Sequence, residues 1–204
     1  MLTENELRRI AGSALAYSKA DQTEVVITES DSALTRFANN EIHQNVAERD
    51  TSVLIRVVFG KKIGVATLNR ADEAGVRMAI ERANDLAQFQ VENPDFKALP
   101  SPGRANPVGG FHEGTADFSP EDRAWAAGIM LRKAKDAGLV AAGHVSTDVA
   151  QIAVANSLGA FQHHAFTESQ INVVMMSDSS SGYAARLDGN AARLDPEAAA
   201  DEAV

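Results

Sequence analysis

Residues 36–69 constrain the fold most, because this stretch has the pattern of a β-meander. Side chains alternate across a strand, so one strand face would carry the apolar residues Val53, Ile55, Val57 and Phe59. Residues 60–62 include a glycine between two β-branched runs, which predicts a hairpin. Asn39 and Asn40 predict an earlier turn, since asparagine tolerates left-handed backbone angles.

The same stretch carries a resemblance to a known family. Residues 37–48 are FANNEIHQNVAE, a hydrophobic strand follows, and GKKIGVATLN precedes a predicted helix. This pattern resembles the N-terminal domain of the TldD/PmbA family, whose members are called modulators of DNA gyrase or family U62 metallopeptidases. The resemblance covers nearly the whole chain in the order helix, meander, helix, linker, helix, second meander. The family's zinc motif, HExxxH, lies in a C-terminal domain, and this sequence does not contain it.

The periodicity and turn signals predict helices and strands along the whole chain. Helices are predicted over residues 3–19, 71–89 and 119–138, with Thr3 and Ser119 as N-caps and Gly138 as a C-terminal cap. The second helix would bury Val76, Ala79, Ile80, Ala83, Leu86 and Ala87. Strands are predicted over residues 24–28, 33–37, 53–59, 140–146, 149–155, 160–167, 170–176 and 182–187, with a turn at residues 30–32.

A weak internal repeat divides the chain. Residues 37–40 match residues 154–157, residues 52–59 match residues 170–177, and residues 64–66 match residues 182–184, each 117 or 118 positions later. We therefore expect an α+β fold of two duplicated helix–antiparallel meander–helix units, with each sheet covered by helices on one face. The units would be residues 1–92 and 119–204, joined by a Pro/Gly linker over residues 93–118.

The repeat also predicts how the second unit closes. The helix that closes the first unit has its counterpart near Asp195, only a few residues before Val204. A helix this short is marginal unless it continues or docks. The expectation is that the natural protein extends past Val204.

Composition excludes some classes of function. The net charge of −9 argues against nonspecific binding to nucleic-acid phosphates, so we expect no direct DNA contact despite the family's gyrase name. The chain has no cysteine, which removes disulfides and thiolate metal ligands and suits a cytoplasmic protein. No apolar run approaches the length of a membrane span, so no membrane partner is expected.

One stretch resembles a metal site. His112, Glu113 and Asp117 form HExxxD, which shares the start of a zinc motif. The segment lies at the end of the Pro/Gly linker and before the N-cap Ser119, where a loop is expected. A zinc site also needs a third ligand with support from neighbouring groups. We therefore reject these three residues as metal ligands, and a solvated loop is the preferred interpretation.

The remaining polar signals are weaker. His163 and His164 are adjacent in a predicted strand, where neighbouring side chains point to opposite faces and cannot easily chelate one metal. Asn39, Asn40 and Arg56 are weak candidates for contact with a substrate or partner. Arg56 would lie either on a solvent face, the preferred interpretation, or against a carboxylate at an interface. No residue of the chain is predicted to be catalytic.

The resemblance implies a part of a larger enzyme. In the family, a complete enzyme would hydrolyse unfolded or leader peptides with a zinc-activated water, as a homo- or heterodimer with another family member. This chain would then be the N-terminal substrate-admitting and assembly domain, inactive by itself, with zinc held in a C-terminal domain. Two other hypotheses stay open. The chain could be a freestanding peptide- or protein-binding module that acts through its sheet edges, or a small metalloenzyme that uses His112, Glu113 and Asp117.

Overall fold

The computed structural model describes residues 1–103, 105–106 and 108–204. The helices are α1 Glu4–Tyr17, α2 Glu73–Phe89, α3 Glu113–Ala116, α4 Pro120–Asp136 and α5 Pro196–Ala203, with a 3-10 turn at Ala191–Arg193. The strands are β1 Gln22–Ala38, β2 Glu41–Phe59, β3 Lys62–Leu68, β4 Val140–Asn156, β5 Phe161–Met176 and β6 Ser181–Asp188. The predicted linker residues Arg104 and Pro107 lie outside the described residues.

In the described residues the strands form one six-stranded antiparallel sheet in the order β3-β2-β1-β4-β5-β6. Both halves of the chain present the same element order, a helix, three strands and a helix, apart from the short α3 and the 3-10 turn. Helices pack on the sheet, which confirms the predicted α+β class. The predicted origin of the two halves by duplication agrees with this order and stays a prediction.

The β2–β3 hairpin follows the predicted meander. Val53, Ile55 and Val57 are fully buried, and Phe59 pairs with Lys62 across a turn in which Gly60 has a φ of 60°. Val58 on the opposite strand face is buried as well. Asn39 and Asn40, with φ values of 52° and 62°, form the predicted earlier turn.

Three predicted strand breaks are wrong, because β1, β4 and β5 each continue through a polar stretch. The turn expected at residues 30–32 lies inside β1, and the breaks near residues 147–148 and 168–169 lie inside β4 and β5. In place of local turn bonds, the polar side chains bond to other segments. Ser32 donates to Asp148, Arg49 pairs with Asp31, and Ser169 donates to the Asp188 carbonyl. Polar residues that favour turns locally are therefore satisfied within a long sheet.

The helix boundaries follow the cap signals. Thr3 and Ser119 close capping boxes with Glu6 and Asp122, and the serine's hydrogen bonds hold the pKa of the Asp122 carboxyl below its usual range. Gly138 ends α4 with a φ of 70°. One predicted buried residue is wrong: Leu86 is 46% exposed, whereas the other predicted residues of the α2 stripe are buried.

The chain forms two compact units that are interleaved in sequence. The first comprises Met1–Ser30, Asp50–Val108 and Gln151–His164, and the second comprises Asp31–Arg49, Gly109–Ala150 and Ala165–Val204. Each has its own hydrophobic core. In the first, Leu7 of α1 and Ile80 of α2 pack with Ile55 of β2, and in the second, Met130 of α4 packs with Phe37 of β1.

Arg123 in the second unit is an unusual core residue. The side chain is 3% exposed, donates to the Phe118 carbonyl at 2.8 Å and has no hydrogen-bond partner at Nε. Burial lowers the pKa of its guanidinium. Among the described residues no carboxylate forms an ion pair with Arg123, so its buried charge costs stability.

Replacing this charge should not cost stability. We expect Arg123→Met to leave the free energy of unfolding unchanged or raise it by about 1 kcal/mol, since a long apolar side chain fills the space without charge. Arg123→Ala should lower it, because the side chain's packing is lost. Urea unfolding followed by circular dichroism measures both. A loss of more than about 2 kcal/mol in Arg123→Met would show that the guanidinium is instead a net stabilising group.

No helix among the described residues is long and apolar enough to cross a membrane.

Candidate functional site

His112, Glu113 and Asp117 form the boundary of a short structural helix. The segment was expected to be a loop, but Glu113–Ala116 forms one helical turn after His112. The His112 backbone N–H donates to Thr167 Oγ1 at 3.1 Å, and Thr115 donates to the Gly189 carbonyl at 3.0 Å. Glu113 and Asp117 are exposed. In the part of the chain that the structure describes, no three His, Cys, Asp or Glu side chains form a group that could hold a metal ion.

His163 belongs to a polar network around Glu29, a carboxylate that is only 6% exposed. Glu29 accepts from the Leu2 backbone N–H at 2.7 Å and from Gln151 Nε2 at 2.5 Å. Gln151 Oε1 lies 2.8 Å from His163 Nε2. Because an amide oxygen can only accept, the ring nitrogen Nε2 is the donor of this hydrogen bond. This network anchors the start of the chain to β1 and β4, which is a structural role.

Arg56 combines its two proposed environments. Its side chain is 42% exposed, and Nη1 lies 3.1 Å from Glu24 Oε1, whose side chain is 11% exposed. The preferred interpretation, a purely solvent-facing arginine, therefore missed its carboxylate partner, because the cross-strand neighbour of Arg56 was not known from sequence. The predicted contact of Arg56 with a substrate or partner stays a prediction.

The Asn40 side chain forms hydrogen bonds with the backbone of the same chain. Its Nδ2 donates to the Leu139 carbonyl at 2.9 Å, and its Oδ1 accepts from the Ala141 N–H at 2.7 Å. Both ends of this amide are thus used at the start of β4. Asn39 supports the turn through its positive φ. Binding of a substrate or partner by Asn39 and Asn40 stays a prediction.

The first half of β2 is the most exposed part of the sheet. Every residue from 41 to 50 is exposed, although the strand continues without a break to Phe59. The register of β3 covers β2 only from Val53 to Phe59. In the described chain, residues 41–49 therefore have β1 on one side and no strand on the other. We call residues 41–49 the β2 edge.

Unpaired strand edges present a row of backbone donors and acceptors that can pair with another chain. The β2 edge has an uncharged centre, residues 42–47, in which Ile42 and Val46 are 40% and 39% exposed. Glu41 and Glu48 flank this centre, and Arg49 is paired with Asp31. The edge could thus form main-chain hydrogen bonds in its middle and attract cationic side chains at its ends.

The corresponding part of β5 has another segment of the chain beside it. Residues 161–168 of β5 precede its pairing with β6, which begins at Ser169. Here the linker lies alongside: the Thr167 backbone N–H donates to the Gly110 carbonyl at 2.9 Å, and the Thr167 hydroxyl accepts from the His112 N–H. A linker segment of this chain therefore already accepts a hydrogen bond from a main-chain N–H of β5 near the end of β6.

The sequence did not locate the β2 edge, because the β2 strand was recognised only from Val53, where apolar alternation begins. The available signal was the predicted Asn39–Asn40 turn, since a turn directly after one strand indicates that a second strand begins at residue 41.

Residues 23–87 match the family model described as PmbA/TldA metallopeptidase domain 1. In this part the chain is therefore similar to the first domain of the PmbA/TldA metallopeptidases. The resemblance inferred from residues 37–48 and 60–69 is thereby confirmed. No curated protein matches the chain in sequence.

Solved structures share the fold over nearly the whole chain. TldE from Thermococcus kodakarensis has 21% identity and a TM-score of 0.76, with 97% of this chain and 46% of that chain covered. A modulator of DNA gyrase from Thermotoga maritima has 16% identity and a TM-score of 0.81, with 97% and 46% covered. A modulator of DNA gyrase from Bacteroides thetaiotaomicron has 12% identity and a TM-score of 0.84, with 100% and 49% covered. The present chain thus spans about half the length of these solved structures.

Proposed function

We propose that this chain is the N-terminal substrate-admitting and assembly domain of a TldD/PmbA-like zinc metallopeptidase that acts on unfolded or leader peptides. Two findings support the proposal: the family model that matches residues 23–87 is described as a metallopeptidase domain, and the solved structures of this fold are about twice as long. The β2 edge is the observation that carries it, because an open strand edge fits an extended peptide.

Zinc chemistry does not fit the residues of this chain. Glu113 and Asp117 are exposed and point to no shared site with a third ligand in the described residues, and the sequence lacks HExxxH. The zinc of a complete enzyme would be held by a C-terminal domain. We therefore propose that this chain contributes substrate binding and assembly, and that it has no peptidase activity alone.

Peptide binding at the β2 edge would use backbone groups. Phe59 closes a two-residue turn with Lys62, so its N–H should point toward β3. Alternate residues of a strand repeat this direction, so we expect the N–H groups of Arg49 and Ala47 to point to the open side. Recognition through the main chain makes few demands on peptide sequence, which suits unfolded or leader peptides as substrates.

Assembly is the second part of the proposed role. The proposal places the domain in a homo- or heterodimer with a family member in the cytoplasm, without a nucleic-acid or membrane partner. The lack of cysteine and the net charge of −9 support this setting.

A freestanding binding module is the alternative function. It would use the same β2 edge but would not depend on a catalytic domain. Sequencing the native gene past codon 204 separates the two. A continuing frame with HExxxH supports the metal-binding subunit type, a continuing frame without it supports the partner type, and a stop codon supports the freestanding module.

Peptide binding is testable on the chain as it stands. We expect a fluorescein-labelled unstructured peptide, long enough to span residues 41–49 and carrying lysine at both ends, to bind and raise fluorescence anisotropy. Ala47→Pro should weaken binding about tenfold, because proline removes an outward N–H. Ala47→Thr, which retains the N–H, is the matched control and should bind normally.

A second variant tests whether Ala47→Pro weakens binding only because proline unfolds the strand locally. Val46→Lys leaves the backbone intact, and a lysine on an edge strand opposes strand addition. It should also weaken binding. Equal affinity of the wild type, Ala47→Pro and Val46→Lys would show that the β2 edge is not the peptide site.

A further inference from the structure

A groove lies between α1 and α2 in the first compact unit, remote in sequence from the β2 edge. The two helices pack against each other, and the groove between them has a volume of about 490 Å³. This volume is within the range of pockets that hold small molecules. Its apolar walls are Leu2, Ile10, Ala71 and Val76. We call this space the α1–α2 groove.

The charged residues around the groove are unequally paired. Asp72 accepts from Arg70 at 2.7 Å and from the Gly75 N–H at 2.7 Å. The hydrogen bond from Arg70 is the main reason why the pKa of the Asp72 carboxyl lies below its usual range. Glu73 pairs with Arg77 at 2.7 Å. Both carboxylates of the groove are therefore already matched by arginines.

Arg9 is the exception among the groove's charges. It lines the groove beside Ile10, and in the described part of the chain it forms no ion pair within the salt-bridge distance. Its nearby acid Glu6 is engaged by Thr3 in the capping box of α1. The groove thus offers an apolar wall next to a guanidinium that is available to a carboxylate.

A cation–aromatic contact connects α1 and α2 at the groove. The Arg77 guanidinium lies 5.0 Å from the centre of the Tyr17 ring, and the Tyr17 hydroxyl donates to Glu81 at 2.9 Å. This hydrogen bond raises the pKa of the Tyr17 phenol. The Arg77 guanidinium is thus engaged by both Glu73 and the Tyr17 ring, which leaves Arg9 as the groove's unpaired arginine among the described residues.

We propose that the α1–α2 groove binds a free amphipathic monocarboxylate, with its carboxylate on Arg9 and its apolar chain against Ile10 and Val76. Charge decides the ligand class. The unpaired Arg9 would repel a cationic amphipath, and Asp72 and Glu73 would repel the second acid group of a dicarboxylate. A single carboxylate on an apolar chain is complementary to both parts of the groove.

Isothermal titration calorimetry of the full chain with octanoate tests the site, with octanol and octylamine as ligands of the same length. We expect octanoate to bind and octylamine not to bind. Arg9→Gln should weaken octanoate binding about tenfold but leave any octanol binding unchanged. Ser13→Phe, at an exposed position that lines the groove, should block octanoate by filling space.

The controls separate this site from others. Arg82→Gln removes an exposed arginine of α2 that does not line the groove, and it should bind octanoate normally. Ala47→Pro should also bind normally, so failure of the peptide proposal would leave this result unaffected. The proposal is wrong if octanoate does not bind, or if Arg9→Gln binds octanoate with wild-type affinity.

Discussion

Gly64→Ala should lower the free energy of unfolding by about 3 kcal/mol, at the upper end of overpacking effects. Gly64 lies on β3 where the strand meets α2, and a Cβ there would overlap the Ala83 carbonyl oxygen and lie 2.7 Å from the Ala87 backbone nitrogen. Both obstacles are helix backbone, which cannot move without separating α2 from the sheet. Thermal and urea unfolding of the variant provide the measurement.

Gly182 offers a matched test in the second compact unit. A Cβ on Gly182 would overlap the Ala203 carbonyl oxygen and lie 2.8 Å from its carbonyl carbon. Gly64 and Gly182 are the positions matched by the sequence repeat, and each meets the helix that closes its half. We therefore expect Gly182→Ala to destabilise by a similar amount.

Gly12→Ala is the control for both glycine variants. Gly12 lies within α1, and nothing lies within 4 Å of an added Cβ. Alanine should raise the free energy of unfolding by about 0.5–1 kcal/mol, because it favours the helix. Stability equal to wild type in Gly64→Ala and Gly182→Ala would contradict the close helix–strand approach in both halves.

Phe37→Ala should lower the free energy of unfolding by about 3–5 kcal/mol, the usual cost of removing a buried phenylalanine. Phe37 is 1% exposed and lies in the core of the second compact unit with Met130 and Ile171. Its ring end also lies 2.8 Å from the position of a Cβ on Gly143, so the strand there is shaped around the ring. Loss of the ring would leave a cavity that strands β1 and β4 cannot close.

Phe89→Ala is the matched control, since Phe89 is 86% exposed at the end of α2. We expect a change within about 0.5 kcal/mol. Urea unfolding at one temperature compares the two phenylalanine variants. A loss below about 1 kcal/mol in Phe37→Ala would mean that the ring is not an essential part of this core.

Helix ends were predictable from sequence because capping is local. The side chain of Thr3 or Ser119 and an acid three residues later determine a helix start without help from the rest of the fold. The family resemblance was predictable for a related reason, since the turn and strand pattern of residues 36–69 lies in one continuous stretch. The order of the longer helices α1, α2 and α4 followed from these signals.

The long strands and the β2 edge were not predictable in the same way. Ser32 and Asp148 each favour a turn locally, but they form a hydrogen bond with each other although they lie 116 positions apart in sequence. The β2 edge is defined by where β3 stops pairing, which depends on the length of a different strand. The partner of Arg56 and the unpaired Arg9 are likewise consequences of tertiary contacts that no local pattern records.

Hydrogen exchange along β2 tests peptide binding at the β2 edge directly, because it reports on backbone N–H groups one by one. The peptide of the anisotropy experiment would be added in excess, and exchange would be followed by NMR for residues 41–49 and for β3. We predict slower exchange of the outward amides of the β2 edge, Ala47 and Arg49 among them, with little change in β3. Unchanged exchange along residues 41–49 in the presence of bound peptide, or protection confined to β3, would contradict this prediction.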